Sequence, residues 1–511
     1  MGSLSIDDRL KSNNALDQEE DEALIPYERL NSPGSEEQER SLSSQQVLTN
    51  FVVMSILFSA NHGAMVSCLA FATLQLGSTG AWELSLFHLI YAASALLGAT
   101  YVVKQLGSRN SMLLGMGLYA SYVSLFWLAL KHGAYVNLIA VLGAFLGGIG
   151  GGFVWTAQGS YFSRAAKDYA LCCGNKPTHE VTSYLAGMFA FIYLAEEVAC
   201  KMLSWLLLQK TSASWTTVIA VYSVIGILST VLMGIVHDYP ILHSEMESSM
   251  WYKATCAWQL LTRNPKMRYM VGLNAVFGFA CPFVNAYVNG EVIHRVLSHD
   301  THQQYVGLFS ALSAAVAAIC SLIFGRWAQQ KGAVLIVGAL SFILVVVPFI
   351  VQPDFTQWTW VMLTFVYCSQ GVGRATFEGA LRAIFADYFP GEKEGSYANI
   401  ILQNGAFTSL GFMLSFYVPC WHESVYCVEF KEGGRHNMLV LELAVVVTAI
   451  LSVLGFLRAQ SLHRQEQEEQ VEGEGERERL LENHSLEEAS LAEASLPPCN
   501  IEAALPTDLL R

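Results

Sequence analysis

AVLIVGALSFILVVVPFIV, residues Ala333–Val351, holds no charged side chain and a single hydroxyl, Ser341. A helix needs roughly 20 mostly apolar residues to cross about 30 Å of hydrocarbon. Backbone groups in lipid must be satisfied internally, so such a stretch is a helix and not an open strand. The pattern recurs in both directions. Before it come Phe51–Leu76, Trp82–Val103, Ser111–Leu130, Tyr135–Phe162, Thr182–Leu208, Trp215–Val236, Met267–Val292 and Tyr305–Phe324. After it come Trp358–Tyr388, Ser396–Pro419 and Met438–Leu457. The reading is an all-α membrane protein with about twelve transmembrane helices. Composition agrees: 53% of residues are hydrophobic and 14% charged, where a soluble domain carries about 25% charged residues. The charges crowd the two ends, so the net charge of −14 belongs mostly to the tails and carries no message about a ligand. No basic surface suits nucleic acid, and the partner that the composition demands is the lipid bilayer.

Six spans precede the polar stretch around Glu245, Glu247, Lys253 and Arg263, and six follow it. This divides the chain into an acidic tail (1–48), a first half (49–237), a linker (238–267), a second half (268–459) and a second acidic tail (460–511). Both tails are expected to be disordered. With both on the cytosolic side, the opposite loops hold only Lys131, Lys210, Arg295, Lys431 and Arg435, the excess of Lys and Arg lying inside. The first tail has no apolar run, so no cleaved signal is expected and the first span serves as an anchor. Within the linker, Met250–Leu261 reads as an amphipathic helix on the membrane face. A six-plus-six plan is the major-facilitator architecture, whose halves are structural repeats. A short internal match supports it. Gly151, Thr156 and Gly159 in the fourth span align with Gly371, Thr376 and Gly379 in the tenth, which sets Gln158 opposite Glu378.

The run from Gly148 to Tyr161, GIGGGFVWTAQGSY, resembles the fourth-span signature of the uncoordinated-93-like proteins, a divergent branch of the major facilitator superfamily labelled ion-channel regulatory. There a Gly-rich helix leads into Leu-Trp-(Thr/Ser)-Ala-Gln and a Tyr. Here Val154 replaces the Leu, while Trp155, Thr156, Ala157 and Gln158 match. The resemblance covers about a dozen residues and implies a protein that regulates or escorts ion channels or other membrane proteins. The superfamily's general loop motif is degraded: Lys104 and Gln329 stand where an Asp helps latch the two halves.

A charge at the bilayer centre costs roughly 2.5–3.5 kcal/mol even on the lenient insertion scale, so intramembrane charges line cavities or pair. Arg374, Glu378 and Arg382 are spaced four apart and share one helix face. They read as an anion or proton site, or as a self-neutralising ion ladder. In the fifth span Glu197 pairs with Lys201 at the same spacing, which turns Glu196 elsewhere, toward the spare positive charge of the tenth span. His62 is a candidate proton relay, more often a packing residue. Asn285 and Asn289 are candidate cavity residues, with interhelical hydrogen bonding as the bland reading. These groups make a proton-coupled transporter of a small solute the alternative function.

The cysteines show no metal-ligand spacing, and neither metal nor cofactor is expected. Cys420 and Cys427 flank one outer loop, where a disulfide is open to them. No nucleophile elbow or phosphate loop appears, so an enzyme is not expected. The tails carry sorting-like motifs: an acidic dileucine (Glu20, Leu24, Ile25), a tyrosine motif (Tyr27, Leu30) and a second dileucine (Glu476, Leu480, Leu481). Such motifs engage coat adaptors, and they make an endosomal or lysosomal membrane the expected destination, with the plasma membrane as the alternative.

Overall fold

The computed structural model describes residues 43–173, 178–211, 213–239, 250–297, 302–325, 330–389, 393–420, 425–430 and 434–494. The first helix, α1 (Ser44–Leu76), begins well ahead of its apolar stretch because Ser43 and Gln46 cap it reciprocally. The Gln46 amide donates to Ser43 Oγ (3.3 Å) and the Ser43 amide donates to Gln46 Oε1 (2.9 Å). It ends at Gly77, whose φ of 59° suits a residue without Cβ. The first half continues with α2 (Ser78–Leu106), α3 (Ser108–Lys131), α4 (Val136–Cys172), α5 (Thr178–Lys210) and α6 (Trp215–Met233). The linker forms α7 (Met250–Arg263). The second half comprises α8 (Pro265–Val296), α9 (His302–Gly325), α10 (Lys331–Val351), α11 and α12 (Lys393–Tyr417). Helix α11 runs as three consecutive pieces, Trp360–Ala375, Thr376–Leu381 and Arg382–Tyr388. Strands β1 (Cys427–Phe430) and β2 (Gly434–Asn437) pair antiparallel, and α13 (Leu439–Ala494) closes the chain.

Among the described residues, nine helices are long and apolar enough to cross a membrane. The expected spans in α5, α11 and α12 are helical too, and they are the ones diluted by charged or amide side chains. Two features depart from the sequence reading. The segment 460–494 continues α13 instead of being disordered; it is rich in Glu, Gln, Arg and Leu, all strong helix formers. The paired strands β1 and β2 were not foreseen, being too short to stand out beside the apolar runs.

The halves meet with matching partners: α2 packs on α12, α5 on α9, and α1 on the π-helical part of α8. Second-on-fifth and fifth-on-second contacts are what two related six-helix units produce about a shared axis. The glycines of α4 form a seam. A Cβ on Gly150 would sit 2.8 Å from the carbonyl oxygen of Gly115 in α3, and the converse holds for Gly115. Only small residues allow two backbones this close. The seam fixes the phase of α4 and turns Trp155 to the molecule's centre. Among the described residues three stretches are π-helical, Ala95–Ala99 in α2, Phe283–Val292 in α8 and Thr376–Leu381 in α11, and such turns frequently mark functional sites.

Candidate functional site: a charged cavity between the halves

A cavity of about 150 Å³ lies between the two halves. The first half contributes His62, Tyr91, Tyr119, Trp155, Tyr193 and Lys201; the second contributes Asn285, Tyr367, Gln370, Arg374, Glu378, Arg382 and Asn404. Helix periodicity explains the set. On α11, Tyr367, Gln370, Arg374 and Glu378 follow at spacings of three and four, one face of one helix. On α5, Tyr193, Glu197 and Lys201 do the same.

A buried ion network crosses the interface. Glu197 is fully buried and accepts from Lys201 Nζ at 2.5 Å, from Arg374 Nη1 at 2.6 Å, and from Arg374 Nη2 through its other oxygen. Arg374 thus grips the carboxylate with both arms of its fork, and also donates to Tyr193 Oη at 3.3 Å. Glu378 lies 3.8 Å from Arg374 and 3.6 Å from Arg382, paired with both and hydrogen-bonded to neither. The guanidinium of Arg382 sits 4.3 Å above the Trp155 ring. A second, smaller cavity shares Glu378 and Arg382 and adds Gln158, Lys331, Asp387 and Tyr397, leading from the first toward the end of the bundle where Lys331 and Asp387 pair at 2.7 Å.

The carboxylate that answers the tenth span's positive charge is Glu197. The expectation that Glu196 does so is overturned. The phase of α5 that carries Tyr193 and Lys201 to the centre carries Glu197 with them, and the adjacent residue, rotated by about 100°, is turned away and only half-buried. Asn289 is likewise one turn beyond the cavity. It donates to Asn285 Oδ1 at 3.2 Å and accepts from Tyr367 Oη, so it braces the lining without joining it. His62 packs edge-on to Trp155 (4.9 Å between centroids) and against Tyr193 (5.2 Å), with Nδ1 buried and without a hydrogen-bond partner among the described residues. Its neighbour Asn61 is structural, donating to Met116 O (3.2 Å), Gly226 O (2.9 Å) and Thr230 Oγ1 (3.1 Å) and so tying α1 to α3 and α6. Of the family motif, Trp155 lines the central cavity and Gln158 the second one. Thr156 donates back to Gly152 O (2.8 Å), and Ala157 is buried in packing.

Cys420 and Cys427 are joined by a disulfide, with their Cα atoms 5.7 Å apart, linking the end of α12 to β1. Glu20, Leu24, Ile25, Tyr27 and Leu30 lie outside the described residues, as do the side chains of Glu476, Leu480 and Leu481 on α13. Sequence reasoning missed the tyrosines and Gln370. For Tyr193, Tyr367 and Gln370 the spacing from Glu197 and Arg374 was the available signal, obscured because Tyr is common throughout the chain, whereas Tyr91 and Tyr119 lie on other helices and had no such signal.

A family model described as Major Facilitator Superfamily matches residues 47–419. Among curated relatives, "Protein unc-93 homolog A" of Bos taurus is 23% identical over 373 residues, 65% of this chain and 77% of that protein. Its namesake in Xenopus laevis is 20% identical over 414 residues, 73% of this chain and 84% of the other. Among solved structures, the transporter FucP superposes with a TM-score of 0.57 at 13% identity, over 81% of this chain and 99% of that one. The nucleoside transporter NupG gives 0.56 at 12%, with the same coverage. The span plan, the paired halves and these likenesses converge: the chain belongs to the major facilitator superfamily, as an unc-93-like membrane protein.

Proposed function

We propose that this protein is a secondary transporter that moves a small solute through the cavity between its halves, with protons as the coupling ion. The observation that carries the reading is the Glu197–Arg374 pair, a buried ionic bond made across the two units that alternating access requires to rock against each other. Charges this far from water are expensive, and they are tolerated where they face a cavity and serve a path. Both termini lie on the cytosolic side in this reading. The disulfide between Cys420 and Cys427 supports it, since it lies at the opposite, oxidising end. The acidic dileucine motifs favour an endosomal or lysosomal membrane over the plasma membrane.

The test is reconstitution into liposomes, with internal pH followed while a solute panel is offered. Solute-dependent proton flux that Glu378→Gln abolishes is the expected result.

A second reading has one specific observation behind it. At the junction of α2 and α3 Lys104 stands in place of the latching Asp, and Arg109, at the start of α3, is held by Asp238 of the linker at 3.1 Å. A protein freed from the usual latch fits the role implied by the resemblance, regulation of an ion channel or escort of another membrane protein, with coat adaptors engaged through the tails. Silence across the panel from demonstrably folded protein would move the assignment there.

A further inference from the structure

Among the described residues, every charge around the central cavity has a partner in hydrogen-bond contact except on Arg382 and Glu378. Arg374 and Lys201 converge on Glu197. The nearest carboxylate oxygen to Arg382 is 3.6 Å away on Glu378, which Arg374 also attracts from 3.8 Å. Arg382 Nε is buried with no hydrogen-bond partner among the described residues. Glu197 and Glu378 face Lys201, Arg374 and Arg382, so one positive charge is left over when His62 and His88 are neutral. His88 Nδ1 lies 2.8 Å from the Leu84 carbonyl oxygen, to which it donates as a neutral ring would. An uncompensated cation in a low-dielectric site is costly, and the Arg382 guanidinium, 4.3 Å from the Trp155 ring centre, has an Nε–H donor to give to a carboxylate.

We infer that the central cavity takes a small organic monocarboxylate, its carboxylate held by Arg382 beside Trp155 and its body seated among Tyr91, Tyr119, Tyr193 and Tyr367. The inference rests on the reading of this cavity as a solute site. The leftover charge selects a monoanion over a phosphate ester, which brings about two negative charges. The small volume excludes drug-sized ligands. Gln370 lines the cavity with a buried Oε1 that has no partner among the described residues, an acceptor for one donor group on the solute's body.

The experiment measures equilibrium binding of acetate, lactate and benzoate to the purified full chain in nanodiscs, with benzamide as the neutral isostere and inorganic phosphate as the competing anion. At least one carboxylate is expected to bind saturably, and benzoate about tenfold more tightly than benzamide. Arg382→Gln should weaken that binding by about tenfold or more, and Arg382→Lys should recover part of it. Glu378→Gln, which removes the competing carboxylate, should tighten it roughly threefold or more, so the inference stays testable even if Arg382→Gln fails to fold. Equal binding of benzamide and benzoate, phosphate preferred over all three carboxylates, unchanged affinity in Arg382→Gln, weaker binding in Glu378→Gln, or no saturable carboxylate would each overturn it. Arg382-dependent binding by a protein that moves no solute would keep the anion site and end the transport reading. Flux of a neutral solute undiminished by Arg382→Gln would do the reverse.

Discussion

Glu196 and Glu197 are chain neighbours with opposite environments. Glu197 is sealed from solvent and holds two cations; Glu196 is half-buried on another face of α5. Removing one member of a buried ion group strands the others, which costs about 3–5 kcal/mol, whereas a substitution away from such features usually stays within about 0.5 kcal/mol. Glu197→Gln should therefore lower the thermal unfolding temperature of the detergent-solubilised protein markedly, and Glu196→Gln should leave it nearly unchanged. Equal shifts would contradict the assignment. Asn61 and His62 divide in the same way. Asn61→Leu abandons the Gly226 and Met116 carbonyls and should cost about 1–3 kcal/mol without altering solute affinity in whatever protein remains folded. The cluster on α11 was legible because residues four apart must share a helix face. Which of two adjacent glutamates turns inward was not, because the phase of α5 is set by its packing on α1 and α9.

At the level of elements, the α4 glycines and the π-helical stretches decide how the cavity is shaped. Gly150→Val would drive its side chain into the Gly115 carbonyl and the Leu118 Cβ, each 2.8 Å from the position of a Cβ. Backbone cannot yield there as a flexible side chain does. The expectation is loss of the monodisperse peak in size-exclusion chromatography of a fluorescent fusion, while Gly133→Val, where nothing lies within 4 Å, behaves as wild type. A sharp normal peak for Gly150→Val would refute the seam. That α4 packs closely was readable from its run of glycines. The π-helical turn that carries Glu378 had no comparable signature, since one extra residue in a helical turn leaves composition and periodicity almost untouched. The extension of α13 was hidden for another reason: acidic, low-hydropathy sequence suits a disordered tail and a solvated helix equally well.

For the whole molecule, the span plan and the division into halves follow from hydrophobicity alone, because lipid permits so few alternatives. Which end is closed does not, because it depends on how the halves sit together. At the loop end of α1 and α8, a Cβ built on Gly290 would lie 3.9 Å from Thr73 Cβ, within the range that a disulfide spans. The double variant Thr73→Cys/Gly290→Cys should cross-link under mild oxidant, visible as a mobility shift after cleavage of the chain between the halves. If the protein transports as proposed, the cross-link should arrest solute exchange until reduced. Failure to cross-link in folded protein would show that this end stands open.

The depth of the Glu197–Arg374 pair carries one more consequence. Arg374 falls midway along α11, so the pair sits near the pivot of any rocking between halves. Points near a pivot travel least, while Thr73 and Gly290 at one end and α7 at the other sweep the longest arcs. In the transport cycle proposed above, the bond would then survive throughout, acting as an axle pin that keeps the halves in register, while the parting of surfaces is confined to the two rims.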